Sequence, residues 1–390
     1  MENMTLLDLG TQPLVNNLCS SRQESLDVEQ YPLRAELEDD LTIHLDTEIP
    51  PDILYKNYLY NSGVSLPYIE HCKKMYDSCK HLSMKVMIDI GGNDGTLLRT
   101  FREESKVNTF WSSVPPERLI NVDASESFRE KNEQDGIEYV CGFFSDELDL
   151  PKANLITSTN VFQHTKDIHS FMRGIQKHLN GLWILEFPYT YNTLSTLQFD
   201  QFYHEHYYYW LITPLEKLFH QYGLKIIHIS EHSIHGGSLR MWMTNKSPSA
   251  PEITNSVEEY KKRESELLLS MLNSNTQTYI EKSKDFILNF PGKTAFFGAA
   301  AKGCVFLNTL GLSSDNMPDA YVVDDTLEKQ GLFVPGTGFE ICNRKKLQEE
   351  PVDNIVILAH NFKDHIIKSL RDFGFKGKII TMLPTIKIDL

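Results

Sequence analysis

Tyr203, His204, Glu205 and His206 stand side by side within Asp200–Trp210, which reads DQFYHEHYYYW. An imidazole takes up a proton near neutral pH. A phenol donates a hydrogen bond to an oxygen that is gaining negative charge. Together these groups suit removal of a proton from a carbon next to a carbonyl, with stabilisation of the enolate that results. In an extended segment His204 and His206 share one face and Tyr203 and Glu205 the other; in a turn all four converge on one pocket. Two other readings fit the same residues. H-x-H supplies two metal ligands, with Glu205, Asp200 or the distant His164 as a third, although no HExxH is present. Alternatively, the aromatic rings fill a core and the histidines bond to backbone.

A second group with chemical potential is Val86–Gly95, VMIDIGGNDG. An apolar strand there runs into Gly91, Gly92, Asn93, Asp94 and Gly95. Glycine allows a tight turn and a close approach of backbone to a ligand, and the N–H groups opening the next helix can meet a carboxylate. Asp89 or Asp94 can hold an ammonium group. The following strand, Leu119–Val122, ends in Asp123, whose carboxylate can accept hydrogen bonds from ribose hydroxyls. A nicotinamide dinucleotide would use the same geometry. Two details favour S-adenosylmethionine (SAM): the acidic loop would repel a pyrophosphate, and GGNDG departs from GxGxxG. Asn160 and Gln163, in STNVFQH after another strand, line the same pocket, or Asn160 simply caps a helix. In His235-Gly-Gly-Ser-Leu-Arg240 the arginine can pair with phosphate in a bidentate way, or it decorates a hairpin turn.

The elements that must position these groups read as follows. Residues 1–70 show little regular period and predict an irregular or sheet-poor domain that acts as a lid. The spacing of apolar residues predicts a helix over 67–83. Strands at Lys85–Ile90, Leu119–Val122, Tyr139–Cys141, Leu155–Thr157 and Gly181–Phe187 alternate with helices, which implies a mostly parallel sheet covered on both faces. A charged helical stretch, 251–286, leads to a second α/β unit from Lys293, with the small-residue turn Gly298–Gly303 and strands ending near Asp324 and Ala359. The expected fold is α/β: a small N-terminal domain (1–66) that covers the substrate, a central Rossmann-like domain (67–250) and a C-terminal Rossmann-like domain (251–390). A chain of 390 residues is long enough for two or three such domains.

The net charge of −15, without clustered Lys and Arg, argues against a nucleic-acid partner. The cysteines form no CxxC pair, which points to reduced thiols and a cytoplasmic location. No basic-then-apolar leader opens the chain, and no apolar run is long enough to span a membrane. Monomer or homodimer is the expected state.

The chain resembles the sugar C-methyltransferase family that builds branched deoxysugars. The likeness is carried by an ordered set of segments along nearly the whole sequence: LDLGTQPLVNNL (Leu7–Leu18), YPL (Tyr31–Leu33), YKNYLYNSGVS (Tyr55–Ser65), DIGGNDGTLL (Asp89–Leu98), NVFQHTKD (Asn160–Asp167), LEFPY (Leu185–Tyr189), FDQFYHEHYYYW (Phe199–Trp210), HGGSLR (His235–Arg240), FGAAAKG (Phe297–Gly303), VVDD (Val322–Asp325), PGTG (Pro335–Gly338) and AHN (Ala359–Asn361). The resemblance implies a three-domain, SAM-dependent enzyme that methylates C3 of a nucleotide-linked 4-keto-deoxyhexose. It puts the catalytic base on His206, other active-site positions on Tyr203, Glu205 and His164, and an N-terminal active-site tyrosine on Tyr60, with Tyr58 as its neighbour. His204, His235, Arg240 and Lys302 are further candidates for holding the substrate. The family's zinc-binding cysteines are missing here: the stretch after YPL reads RAELEDDLTIHL. No metal is therefore expected, and the N-terminal domain must rest on its neighbours instead. Two rival readings keep part of this picture. A methyl or carboxymethyl group goes to another acceptor such as a nucleobase, or the chain is a non-catalytic binding protein.

Overall fold

The computed structural model describes residues 4–54, 66–82, 84–107, 116–246 and 254–389. Three sheets organise them. The first is antiparallel: β1 (Met4–Pro13), β2 (Gln30–Leu37), β3 (Ile43–Leu45) and β9 (Tyr208–Tyr209), in that order. The N-terminal region is thus sheet-built, not sheet-poor as its irregular pattern suggested. Its alternation is obscured because the β1–β2 register shifts between Thr5 and Leu7 and again between Asp8 and Thr11. Each shift moves the apolar side chains out of strict period two. Leu6, Leu7, Leu9, Leu33, Ala35, Ile43 and Leu45 are nonetheless buried.

The fourth strand of this sheet comes from elsewhere. Ile43 pairs with Tyr209 and His44 with Tyr208, so the N-terminal sheet is hydrogen-bonded to the strand that directly follows His204–His206. The region also leans on the C-terminal part of the chain. Cys19 and Phe333 exchange backbone hydrogen bonds of 3.0 and 2.8 Å, Gln12 Nε2 donates to Thr309 Oγ1 at 3.2 Å, and Ser25 Oγ donates to the Val334 carbonyl at 2.6 Å. These neighbours are what the domain rests on. Among the described residues no group of three or more His, Cys, Asp or Glu side chains is arranged to hold a metal ion.

The central sheet has the order β10-β11-β8-β7-β4-β5-β6, built from β4 (Val86–Ile90), β5 (Arg118–Asp123), β6 (Glu138–Cys141), β7 (Ala153–Thr159), β8 (Leu179–Pro188), β10 (Lys225–His232) and β11 (Ser238–Thr244). The strands from β6 to β8 run parallel, and β11 is antiparallel to both its neighbours. Strand order reverses between β4 and β7, and the crevice beyond the carboxyl ends of such strands is where open α/β sheets bind ligands. The helix Leu66–Cys79, shorter than the expected 67–83, packs beside the helix Thr96–Val107.

The C-terminal sheet repeats the plan: β14-β13-β12-β15-β16-β17, with β12 (Thr294–Phe297), β13 (Val322–Val323), β14 (Ile341–Cys342), β15 (Asn354–Ile357) and β16 (Lys378–Thr381) parallel and β17 (Lys387–Asp389) antiparallel. Two helices, Thr254–Ser265 and Leu272–Asn289, join the two units. Among the described residues no helix is long and apolar enough to cross a membrane.

Candidate active site

The turn after β4 is held by its own backbone. Gly91 N–H donates to the Val122 carbonyl at 2.7 Å. Gly91 has φ +66°, and a Cβ there would lie 2.1 Å from Val161 Cγ2, so the position demands glycine on both counts. Asn93 takes a left-handed conformation, φ 51°. Its N–H donates to Asp123 Oδ2 at 2.9 Å, and Ser125 N–H donates to the other oxygen at 2.9 Å. Asp123 is thereby fixed with lone pairs to spare. Asp89 is fully buried and accepts from Thr157 Oγ1 at 2.7 Å; burial raises its carboxyl to about 7.

Asp94 has a different task from the one expected of it. It accepts from Thr96 N–H and Oγ–H, and Lys131 Nζ and Arg99 Nη2 lie 2.6 and 3.2 Å from its Oδ2. Although its carboxylate is buried, these bonds hold it below the usual range. It caps the helix Thr96–Val107 and ties down the loop, so it is not open to a ligand's ammonium. Gly95, φ +78°, lets the chain pass Asn132, whose Oδ1 would be 2.3 Å from a Cβ. Behind the loop, Asn121 Oδ1 accepts from Gly92 N–H, and Asn121 and Asn132 both donate to the Asn93 carbonyl. This amide scaffold was not singled out from sequence. The one signal for it is a polar residue inside the apolar strand LINVD.

Asn160 sits at the end of β7 with φ 56°, and its N–H donates to the Glu186 carbonyl at 2.8 Å. Its Oδ1 and the Oε1 of Gln163 are buried without a hydrogen-bond partner. Two open acceptors, a glycine-only turn and the Asp123 carboxylate meet at one switch point. That donor and acceptor set fits SAM, which carries an ammonium, an adenine amine and two ribose hydroxyls.

The catalytic candidates lie in a turn, closed by His206 N–H donating to the Tyr203 carbonyl at 2.9 Å. The turn separates the two histidines. His204 Nε2 meets the Pro32 carbonyl at 3.0 Å, and the ring lies edge-on to Tyr31. It braces the N-terminal sheet and is not at the site expected for a substrate ligand. His206 instead faces Tyr203, with Nε2 2.7 Å from the phenol oxygen and Nδ1 3.2 Å from the Gln201 carbonyl. A carbonyl can only accept, so the ring proton is on Nδ1 and the Nε2 lone pair accepts from the phenol. His164 packs edge-on to His206 at 4.9 Å between centroids. Its Nδ1–H donates to the Glu205 carbonyl, and burial lowers it to about 4, so it is neutral. His164 N–H bonds to the Val161 carbonyl, and Val161 packs on Gly91. The chain of contact from cofactor loop to catalytic turn is therefore Gly91–Val161–His164–His206.

Glu205 is 7% exposed, and its Oε1 accepts from Asn16 Nδ2 at 2.6 Å. Burial raises its carboxyl from 4.5 to about 7. Between the unfolded and folded values the native state holds the extra proton, so this group's contribution falls as pH rises and the full deficit, about 3 kcal/mol, stands above pH 7. Relative to wild type, Glu205→Gln is expected to gain stability steadily from pH 4.5 to 7.5, measured by denaturant melts. A difference independent of pH would contradict the buried, proton-bearing state of Glu205.

Other candidates are placed elsewhere. Arg240 is 1% exposed, its Nε 2.6 Å from Glu186 Oε2, and His71 Nε2 lies 2.6 Å from Glu186 Oε1. It is an internal ion pair across β8 and β11, not a ligand for phosphate. His235 lies in the short turn Ile234–Gly236; its side chain, and both Tyr58 and Tyr60, are outside the described residues. Lys302 opens the helix Ala301–Thr309, with its amine lowered to about 8 by burial, against the opposing pull of Asp200. Asp200 is completely buried, His360 Nδ1 is 3.3 Å away, and neither carboxylate oxygen has a hydrogen bond. This charged cluster joins the catalytic turn to the C-terminal unit, where the loop geometry recurs: Gly298 N–H donates to the Val323 carbonyl, and Ala299 and Thr326 N–H donate to the two oxygens of Asp324.

Residues 75–229 match the model described as a methyltransferase domain, and residues 233–384 match that described as a C-methyltransferase C-terminal domain. The C-methyltransferase NovU of Streptomyces niveus is 24% identical over 412 aligned positions, which cover 98% of this chain and 93% of that protein. Among solved structures, a SAM-dependent methyltransferase from Clostridium acetobutylicum is 13% identical, with a TM-score of 0.37 over 49% of this chain and 96% of its own. Magnesium protoporphyrin IX methyltransferase from Synechocystis with bound SAM is 11% identical, with a TM-score of 0.35 over 46% of this chain and 79% of its own.

Proposed function

We propose that this chain, a SAM-dependent C-methyltransferase of a small molecule with the α/β fold of class I methyltransferases, methylates C3 of a nucleotide-linked 4-keto-deoxysugar. The observation that carries the reading is the Tyr203–His206 pair, 2.7 Å apart and joined through His164 and Val161 to the cofactor turn. A base beside a phenol is what proton abstraction next to a ketone requires. The family likeness of the whole ordered set of motifs supports the sugar.

Asp123 would hold the ribose of SAM, and Asp89, Asn160 and Gln163 its polar groups. When bound, SAM supplies an electrophilic methyl group on a sulfonium. The chain's own residues do the rest. His206, its Nδ1–H held by the Gln201 carbonyl, offers Nε2 as the base for the C3 proton. The Tyr203 phenol has one proton, which in the resting site is spent on Nε2. A substrate ketone oxygen that takes over this hydrogen bond frees the lone pair of Nε2 in the same movement and gains a donor for its developing charge. His164, kept neutral by burial, does not compete for the proton and presses its edge on the His206 ring. Positioning carries much of the rate in such a site.

The C-terminal unit offers a second loop of the cofactor-loop type, at Gly298–Lys302 with Asp324, next to the buried Asp200. Lys302 and the amides of this loop are suited to the nucleotide portion of the substrate. The test is a panel of nucleotide-linked 4-keto-deoxysugars incubated with SAM and the full chain. A product heavier by one methyl group, with the new carbon on C3 by NMR, is the expected result. Methylation confined to nucleobase acceptors, or to none, would reject it. The same panel with a carboxymethyl donor decides the donor.

A further inference from the structure

The N-terminal domain contributes one polar contact to the catalytic turn that the reaction as described does not use. Asn16 Nδ2 donates to Glu205 Oε1 at 2.6 Å. An amide N–H makes the oxygen it touches the acceptor. When the carboxyl group carries a proton, that proton is then on Oε2. Glu205 in this state is a hydrogen-bond donor with a fixed direction, one residue from His206 and tied through its backbone carbonyl to His164.

We infer that Asn16 is a positioning residue, whose amide selects Oε2 of Glu205 as the proton-bearing oxygen and aims it at the substrate. The inference rests on the reading of Glu205 as an active-site group. Three observations support it. Glu205 is buried, and Asn16 is the hydrogen bond that acts on its side chain, with burial favouring the neutral form. Two separate elements reach this residue, the N-terminal domain through Asn16 at its side chain and the turn after β7 through His164 at its backbone carbonyl. Lastly, the Asn16 turn is not free to drift. It closes through Asn17 N–H to the Leu14 carbonyl at 3.1 Å. It is bracketed by Gln12 on Thr309 and by the Cys19–Phe333 pair, both on the C-terminal unit. The C-terminal unit thereby holds the residue that orients an acid on the central one.

Infrared difference spectroscopy of the full chain, with Glu205→Gln to assign the carboxyl band, reads this directly. In Asn16→Ala the carbonyl loses its donor, so its band should move to higher frequency. Because the lost bond favoured the ionised form, ionisation of Glu205 should move up by about one pH unit. The kcat/KM for the 4-keto sugar should fall roughly 10- to 100-fold, with SAM affinity within twofold of wild type. Asn16→Asp, which keeps the shape, covers the case in which the alanine variant does not fold. A carboxylate facing Oε1 must share a proton with it, so Glu205 should again lose its protons at higher pH. An unmoved band and unchanged ionisation in either folded variant would overturn the inference. A wild-type band already absent across pH 5–9 would overturn it at its premise. Proton exchange at C3 in wild type and in His206→Ala is measured separately, so failure here is distinguishable from failure of the proposed reaction.

Discussion

His206→Ala should abolish exchange of the C3 proton of a 4-keto sugar nucleotide with solvent deuterium, lowering the rate about 10²- to 10⁴-fold, the range of a positioned general base. SAM affinity should stay within a few-fold, because the contact from His206 to the cofactor turn runs through His164 and Val161. Exchange and methyl transfer should fall together, since both need the same carbanion. Tyr203→Phe is the informative companion. It removes the phenol's hydrogen bond on Nε2 and leaves the imidazole in place, so proton removal survives in part while stabilisation of the enolate oxygen is lost. Full exchange in His206→Ala would take the base role away from this residue. Retained exchange with lost methylation would mean that His206 acts after carbanion formation.

The features of this region that are legible in the sequence share one property: their structural reason is local. Gly91 and Asp123 follow from a strand, a turn and the next strand, all within one βαβ unit. Where the reason is not local, the sequence is silent. Nothing in DIGGNDG distinguishes Asp89, fully buried on Thr157, from Asp94, which caps a helix against Lys131. The distinction depends on where the helix starts and on a lysine from the far side of β5. Likewise the N-terminal sheet takes its last strand from residues 208–209, and strand bulges break the alternation that would have revealed its first two. Asn16 was in plain view within PLVNNL, but its partner Glu205 is brought to it only by the tertiary fold.

Arg240 shows the same gap between residue type and environment, and it gives the largest stability effect to be expected. Glu186 is fully buried between Arg240 and His71. Burial alone would push its carboxyl up; the hydrogen bond with His71 and the charge of Arg240 outweigh it and hold the group at about 2. This pair therefore contributes stability above the ordinary glutamate range, which would be lost as pH falls through about 2. Arg240→Met leaves a buried carboxylate facing only His71, and removal of one partner of such a pair costs about 3–5 kcal/mol. The melting temperature should drop accordingly at pH 7.5. The deficit should narrow as the pH falls, because without Arg240 the buried Glu186 carboxylate takes up a proton and the site becomes neutral. Adding Glu186→Leu to Arg240→Met should recover most of the loss, because a well-packed apolar pair of similar volume avoids the buried charge. A phosphate-binding arginine would behave in the opposite way. Its loss would leave the melt unchanged, weaken substrate binding with a strong dependence on salt, and gain nothing from a second change at Glu186. A single variant with intact stability and weakened substrate binding would return Arg240 to the substrate pocket.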